Sequence, residues 1–122
     1  MNEKLKTLVL GASDNPSRYS YLAIHRLRKH NIPVVAIGKK HTLVADVEVI
    51  SEKKEFLHID TITLYLNPTH QQEYYNYILS LKPRRIIFNP GSENDELAKM
   101  AMDKGILSIE ACTLVLLSTG QY

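Results

Sequence analysis

The segment LVLGASDNPSRYS, Leu8 to Ser20, carries the strongest indication of the fold of this chain. The apolar run Thr7–Leu10 predicts a short strand that is covered on both faces, because buried parallel strands are continuous apolar runs. From Ser17 to His30, apolar residues recur at helical spacing, which predicts an amphipathic helix. Gly11 lies between these two segments. The stretch therefore predicts a strand, a glycine turn and a helix.

Composition limits the classes of protein to be considered. The 122 residues, 44% of them hydrophobic, are enough for one domain with a real core, and the net charge of +2 demands no nucleic-acid surface. The single cysteine, Cys112, excludes an internal disulfide framework and fits a reducing compartment. No apolar run is long enough for a membrane span or a convincing secretory signal. We expect a cytoplasmic protein that binds neither nucleic acid nor membrane.

The rest of the chain continues the alternation of strands and helices. Further strands are predicted at Pro33–Ile37, Thr61–Leu66, Arg85–Phe88 and Ile106–Ile109, and further helices at Thr69–Leu81 and Asn94–Lys104. Residues 42–59 contain one possible short strand, DVEVI, followed by a loop or a poor helix. The segment ACTLVLLSTG is either a terminal helix or a buried strand. The alternation predicts a single-domain α/β fold, doubly wound, with a mostly parallel sheet of about five or six strands.

Three strand ends carry an Asn-Pro pair. In doubly wound sheets, ligands bind outside the carboxyl ends of the strands, and each Asn-Pro pair is a rigid turn at that edge. One such pair is ordinary punctuation between a strand and a helix. Three at the ligand-binding edge predict the rim of a shaped pocket, formed by Asn15-Pro16, Asn67-Pro68 and Asn89-Pro90-Gly91.

The turn after the first strand is suited to a phosphate. A helix N-terminus presents backbone N–H groups and a positive dipole end, and Ser13, Ser17 and Arg18 add donors beside Gly11. A single glycine does not make the dinucleotide fingerprint, which requires three. The alternative interpretation is a Ser or Asp that caps an ordinary helix.

The end of the second strand is basic. Proteins that bind NAD place an acidic residue there to accept from the ribose hydroxyls, whereas this chain has Gly38, Lys39, Lys40 and His41. A basic end favours a phosphorylated ribose, as in the 3′-phosphate of coenzyme A (CoA) or the 2′-phosphate of NADP. The alternative is a solvated basic turn.

Taken in order, the segments GASDNPSRYSY, TITLYLNP, IIFNPGSEN and EACTLVLLSTGQ resemble the small stand-alone CoA-binding proteins. These are related to the CoA-binding Rossmann-like domain of succinyl-CoA synthetase alpha subunits and acyl-CoA synthetases. The resemblance covers about Lys6 to Gln121 and implies a Rossmann-like domain that binds CoA or an acyl-CoA. It implies phosphates near Gly11, Ser13, Arg18 and Tyr21, an adenosine end near Gly38 and Lys39, and a rim from Asn67-Pro68 and Asn89-Pro90-Gly91. Many relatives have V-N-P-K after the second strand, where this chain has AIGKKH.

No catalytic constellation is evident in the sequence. The histidines are scattered, no metal-ligand spacing occurs, and Ser13 lacks a nucleophile elbow. Cys112 is the exception, because a cysteine near a helix N-terminus can exchange with a disulfide, here that of CoA. The alternative is a buried structural cysteine.

Two other classes of function remain open. An NADP-binding oxidoreductase would explain the basic strand end, but 122 residues leave little room for a substrate domain. A regulatory or interaction module, acting as a homo-oligomer or with a ligase-type partner, would need exposed apolar surface. The segment YYNYI is the candidate, because Tyr74, Tyr75 and Tyr77 cannot all lie on one side of a helix, so we expect at least one of them to be exposed.

Overall fold

In a computed structural model that describes residues 5–122, one sheet of seven strands organises the chain. The strands follow the order β3-β4-β2-β1-β5-β6-β7, and all neighbouring pairs are parallel except β3 with β4. From the central β1 the chain first builds one half of the sheet and then crosses to the other, which makes the fold doubly wound. The strands are β1 (Thr7–Ala12), β2 (Val34–Gly38), β3 (Thr42–Val44), β4 (Val47–Ile50), β5 (Thr61–Leu64), β6 (Arg85–Phe88) and β7 (Leu107–Glu110).

Helices cover both faces of this sheet. A 3₁₀ turn at Gln72–Tyr74 separates the second helix from the third. No helix of the described chain has the length and apolar character needed to cross a membrane. The helices are α1 (Tyr19–Lys29), α2 (Pro68–Gln71), α3 (Tyr75–Ser80), α4 (Asp95–Asp103) and α5 (Thr113–Ser118).

The interruption between α2 and α3 corrects the single helix predicted for Thr69–Leu81. Lys53 Nζ donates to the Glu73 carbonyl oxygen at 2.6 Å, and a side chain that engages a helical carbonyl is a known cause of such irregularity. The expected exposed tyrosine is also absent from the YYNYI segment. Tyr77 is buried, Tyr74 and Tyr75 are half-buried, and the rings of Tyr74 and Tyr77 lie 6.4 Å apart.

The segment predicted to hold one short strand forms the hairpin β3–β4, which raises the strand count above the expected five or six. Its turn is made by Ala45, at a φ of +54°, and Asp46. Ala-Asp is not one of the usual hairpin turn pairs, so the sequence carries no signal for it. Arg28 holds this turn, donating from Nε and Nη2 to the two Asp46 carboxylate oxygens at 2.9 Å each. Residues 51–60 then form a loop, and the ACTLVLLSTG segment forms α5.

The core has two layers, one on each face of the sheet. In β1, Leu8 and Leu10 pack with residues of α3 and α4, whereas Val9 packs with residues of α1 and α5. All three are fully buried, which explains why the strand is continuously apolar. The side chains buried in these two layers include Ile37, Ile62, Leu64, Phe88, Ile24, Leu27 and Leu117.

An ion pair joins the start of β5 to the start of β6. Arg84 Nε and Nη2 donate to Asp60 Oδ1 and Oδ2 at 2.8 and 3.1 Å, and the Asp60 carbonyl accepts from the backbone N–H groups of Arg84 and Arg85. Burial acts to raise the pKa of the Asp60 carboxyl, but hydrogen bonds from Arg84 and Thr61 outweigh it and lower the pKa. A depressed folded-state pKa contributes stability above the unfolded-state value, and this stability is lost as the pH falls through the folded-state pKa.

We expect Asp60→Asn to lower the free energy of unfolding by about 1 kcal/mol at pH 7, because Arg84 is half-exposed and solvent screens the pair. The difference from wild type should shrink as the pH falls below about 4, where Asp60 of the unfolded chain is protonated first, and should be lost below the lowered folded-state pKa. Urea unfolding at pH 7 and pH 3 measures both values. Glu55→Gln, at an exposed position, is the matched control. A difference that is the same at both pH values contradicts the prediction.

Candidate functional site

A cleft of about 940 Å³ lies at the carboxyl ends of the central strands. Its walls come from four connections: β1–α1, β2–β3, β5–α2 and β6–α4. After β1 the chain turns to β2 on one side, while β5 pairs with β1 on the other, so the cleft lies where the winding direction reverses. Ligands bind at this switch point in doubly wound folds.

Asn15 shapes the loop between β1 and α1. Its Oδ1 accepts from the Ser17 backbone N–H at 3.0 Å and from Ser17 Oγ at 2.8 Å, and its carbonyl accepts from Arg18 N–H at 3.0 Å. Asn15 and Pro16 do not line the cleft, whereas Ser13, Ser17 and Arg18 do. The Asn-Pro pair therefore builds the turn that brings its neighbours to the cleft.

The N-terminus of α1 is open toward this cleft. Arg18 is the N-cap residue, no side chain makes a capping hydrogen bond, and the first turn contains no acidic residue. By contrast, Asn67 caps α2 and Asn94 caps α4 with side-chain oxygens. The first N–H groups of α1 and its positive dipole end are thus available to an anion.

Two glycines permit the close approach of the strands beside the loop. Gly11 has a φ of +97°, and a Cβ atom there would lie 3.0 Å from the Tyr65 carbonyl carbon. At Gly38 a Cβ atom would lie 2.3 Å from the Ala12 carbonyl oxygen. The register between β1 and β2 shifts between Leu10 and Ala12. Both glycines line the cleft, and both are also required by packing.

The basic end of the cleft contains an ion pair. Lys40 Nζ lies 3.2 Å from Asp14 Oδ2, which also accepts from Thr42 Oγ1 at 3.1 Å. The hydrogen bond from Lys40, and then that from Thr42, lower the pKa of the Asp14 carboxyl. Within residues 5–122, neither Arg18 nor Lys39 forms an ion pair. These two cations therefore remain available to a ligand.

The opposite rim is held by buried polar side chains. Gln71 Nε2 donates to the carbonyl oxygens of Leu66 and Ser92, at 2.8 Å each, and Gln71 Oε1 accepts from Asn94 Nδ2 at 2.9 Å. Leu66 belongs to the loop after β5, and Ser92 to the loop after β6. One buried glutamine thus fixes the relative position of the two loops.

Asn89 has a different role from the one predicted for a rim residue. It is buried and does not line the cleft. Its Nδ2 donates to Thr63 Oγ1 at 2.7 Å and to the Leu64 carbonyl at 2.9 Å, while its Oδ1 accepts from Thr113 N–H at 2.9 Å. Asn89 therefore connects β5, β6 and α5 beneath the cleft.

The structure brings most of the predicted site residues together and leaves some apart. Tyr21 is half-buried against the α1 face of the core, with its ring 4.6 Å from that of His25. Cys112 is the half-exposed N-cap residue of α5, outside the lining, so its thiol exchange stays a prediction. The predicted residues that line the cleft are Gly11, Ser13, Arg18, Gly38, Lys39, Asn67, Pro90 and Gly91, and those that do not are Asn15, Pro16, Tyr21, Pro68, Asn89 and Cys112.

Several lining residues were missed by the sequence analysis. Thr42 belongs to the unpredicted hairpin, and Asp14 was considered only as a possible cap. Burial raises the pKa of Tyr65 to about 12, so its phenol stays protonated at neutral pH while the residue lines the cleft. Because Tyr65 directly follows β5, its place at the carboxyl edge of the sheet could have been predicted from the sequence. The other lining residues that were not predicted are Ala12, Tyr19, Ser20, Ile37, Leu66, His70, Tyr74 and Ser92.

No three His, Cys, Asp or Glu side chains of the described chain are grouped so that they could hold a metal ion. The fold and the cleft define a Rossmann-like α/β protein with a cleft at its switch point. Residues 6–118 match the family of the CoA binding domain, and the chain belongs to this family. No curated protein matches the chain.

Solved structures agree with this assignment of the fold. An uncharacterized protein is 47% identical, with a TM-score of 0.93 over 96% of this chain and 97% of its own. Prb, a protein redesigned for binding, is 16% identical, with a TM-score of 0.85 over 97% of this chain and 85% of its own. A Thermus thermophilus protein is 20% identical, with a TM-score of 0.81 over 96% of this chain and 90% of its own. The last two similarities concern the fold alone.

We expect Asn89→Ala to lower the free energy of unfolding by about 3 kcal/mol, because it leaves buried donors and acceptors without partners. Asn67→Ala is the matched control, since it removes the asparagine of another Asn-Pro pair. Asn67 is exposed and caps α2 by accepting from His70 N–H, so its loss should cost about 1 kcal/mol. Urea unfolding of both variants tests the difference, and equal costs would contradict it.

We expect Gly38→Ala to lower the free energy of unfolding by about 2 kcal/mol or more, because the new methyl group overlaps the Ala12 carbonyl oxygen. Gly105→Ala is the control. Gly105 has a φ of +75° and open space around it, so a methyl group there causes backbone strain but no overlap. That control should cost about 1 kcal/mol. Thermal and urea unfolding measure both, and a Gly38→Ala variant as stable as wild type refutes the proposed contact.

Proposed function

We propose that this protein binds CoA or an acyl-CoA in the cleft at the carboxyl ends of β1, β2, β5 and β6. The observation that carries the proposal is the open N-terminus of α1 with Arg18 beside it. Membership of the CoA binding domain family supports a CoA-related ligand. The basic strand end supports a phosphorylated ribose rather than an unmodified one.

The pyrophosphate of CoA is assigned to the loop between β1 and α1. Backbone N–H groups at a helix N-terminus bind anions through both hydrogen bonding and the helix dipole. Ser13 and Ser17 contribute hydroxyl groups near this position, and Arg18 contributes a planar set of donors that matches phosphate oxygens. The first turn of α1 has no acidic residue that would repel the ligand.

The 3′-phosphate is assigned to Lys39, at the end of β2. Lys39 lines the cleft, is exposed, and forms no ion pair with any residue of the described chain. A free ammonium group gains more from a phosphate than one that already has a carboxylate partner. Lys39 therefore provides a means of distinguishing CoA from dephospho-CoA.

The pantetheine arm is assigned to the rim formed by the loops after β5 and β6. Asn67, Pro90 and Gly91 line this part of the cleft, together with His70 and Tyr74. The buried Gln71 holds the two loops in place, so this channel exists before the ligand binds. A site that is preformed loses less conformational freedom on binding.

We propose a binding role for these residues and assign none of them to catalysis. A cytoplasmic location and an association with a ligase-type enzyme or a second copy of the chain are part of the same proposal. The alternative ligand is NADP, because its 2′-phosphate presents the same charge to Lys39. The two ligands differ in the position of the ribose phosphate and in the group beyond the pyrophosphate.

Isothermal titration calorimetry with CoA, dephospho-CoA, NADP and NAD tests the proposal. Wild type should bind CoA most tightly. Lys39→Ala should weaken CoA binding about fivefold to tenfold, because one charge-assisted contact is lost, and should change dephospho-CoA binding less than twofold. CoA binding should weaken as salt rises, since charge supplies much of it.

Lys29→Ala is the matched control for this experiment. Lys29 is an exposed lysine at the C-terminal end of α1, roughly 15 Å from the helix N-terminus, and it does not line the cleft. This variant should bind CoA as wild type does. Tighter binding of NADP than of CoA, or no binding of any of the four nucleotides, rejects the proposed function.

A further inference from the structure

A carboxylate lies in the cleft assigned to a polyanion. Among the lining residues that the structure describes, Asp14 is the single acidic one, and Arg18, Lys39 and Lys40 are the permanent cations. A carboxylate repels phosphate groups and lowers the positive potential of the cleft. Asp14 therefore opposes the binding of phosphate groups, which the neighbouring cations favour. The contacts of Asp14 indicate why a carboxylate lies at this position.

Asp14 links two sides of the cleft. It belongs to the loop between β1 and α1, whereas Lys40 and Thr42 belong to the end of the β2–β3 turn and the start of β3. Both donate to the same carboxylate oxygen, Lys40 Nζ at 3.2 Å and Thr42 Oγ1 at 3.1 Å. The proposed pyrophosphate loop and the basic turn are thus connected through one ionised side chain.

Lys39 and Lys40 consequently differ in how freely each can bind a phosphate group. Lys40 is paired with Asp14, whereas Lys39 forms no ion pair within residues 5–122. The Lys40 side chain is 70% exposed, and ion pairs at such exposure are weak. A phosphate carries more charge than a carboxylate, so a phosphate bound nearby competes with Asp14 for Lys40.

Replacing Asp14 with asparagine removes the negative charge but keeps the hydrogen bond that links the two loops. An asparagine at this position would still accept from Thr42, because its amide oxygen is equivalent to the carboxylate oxygen as an acceptor. It would not hold Lys40 by charge. Whatever changes in Asp14→Asn is therefore an effect of the negative charge on Lys40 and on the ligand.

We propose that Asp14 is an internal counter-ion that restrains Lys40 and thereby sets how strongly the cleft prefers CoA to dephospho-CoA. This inference rests on the proposed function. With Asp14 ionised, the 3′-phosphate is bound by Lys39, and Lys40 contributes only to the extent that the phosphate draws it from Asp14. Without the carboxylate, both lysines are available to the 3′-phosphate.

Calorimetry on Asp14→Asn with CoA and dephospho-CoA at low salt tests this inference. The variant should bind CoA about fivefold more tightly than wild type, because the released Lys40 adds a charge-assisted contact to the 3′-phosphate. Its affinity for dephospho-CoA should change less than twofold. The gain for CoA should decrease as salt rises, because the effect is electrostatic.

Two further variants serve as controls. Asp60→Asn removes the same charge from another ion pair, that with Arg84, which lies outside the lining of the cleft. It should leave both affinities as in wild type. In the double variant Asp14→Asn with Lys40→Ala, the gain in CoA affinity should disappear, because the released lysine is no longer present.

The outcomes distinguish the inference from the proposed function. If wild type binds CoA but Asp14→Asn leaves the ratio of the two affinities unchanged, or strengthens both ligands equally, the inference is overturned and the proposed function stands. If wild type binds neither ligand, the proposed function fails and the inference fails with it. A gain for CoA that persists without Lys40 also overturns the inference.

Discussion

The parallel pairing of β1 with both β2 and β5 is the constraint on which the rest of this structure depends. Parallel neighbours place their carboxyl ends at one edge, so the loops that follow them meet in one region. Both faces of β1 must then be apolar, because helices cover each side. The cleft is a direct consequence of this arrangement, since the connections that follow β1 and β5 run to opposite sides of the sheet.

Polar groups beneath and beside the cleft determine its shape. Gln71 and Asn89 are buried amides whose donors and acceptors are matched by backbone carbonyls, hydroxyls or an N–H group. Buried polar groups are tolerated only when they are paired, and pairing restricts each group to one geometry. The loops are therefore held in position by the same interactions that make the two amides compatible with burial.

The charged side chains at the cleft differ from those elsewhere in whether they are paired. Arg28 and Asp46 pair away from the cleft and hold the hairpin β3–β4 against α1. Arg18 and Lys39 lie at the cleft without an ion pair within the described chain. Asp14 is the intermediate case, because it connects two loops and also lines the cleft. Ion pairs of the same type thus lie both at the cleft and away from it.

Local sequence patterns were sufficient to predict the alternation of strands and helices, the mostly parallel sheet and the edge of the sheet at which the cleft lies. These follow from local periodicity and from turn residues such as Gly11 and the Asn-Pro pairs, which act on their immediate neighbours. Lys39 could be predicted to lie at the cleft because it directly follows β2, and Arg18 because it directly precedes the helix after β1.

Only the tertiary structure decided which of these residues line the cleft. Asn89 follows a strand as Asn67 does, yet Asn89 is buried and Asn67 is exposed, because α5 packs over the first and not the second. The hairpin β3–β4 depends on the contact between Arg28 and Asp46, 18 residues apart, and the pairing of Asp14 with Thr42 spans 28 residues. Such contacts are set by the packing of segments that are distant in the sequence. Local propensity carries no information about this packing.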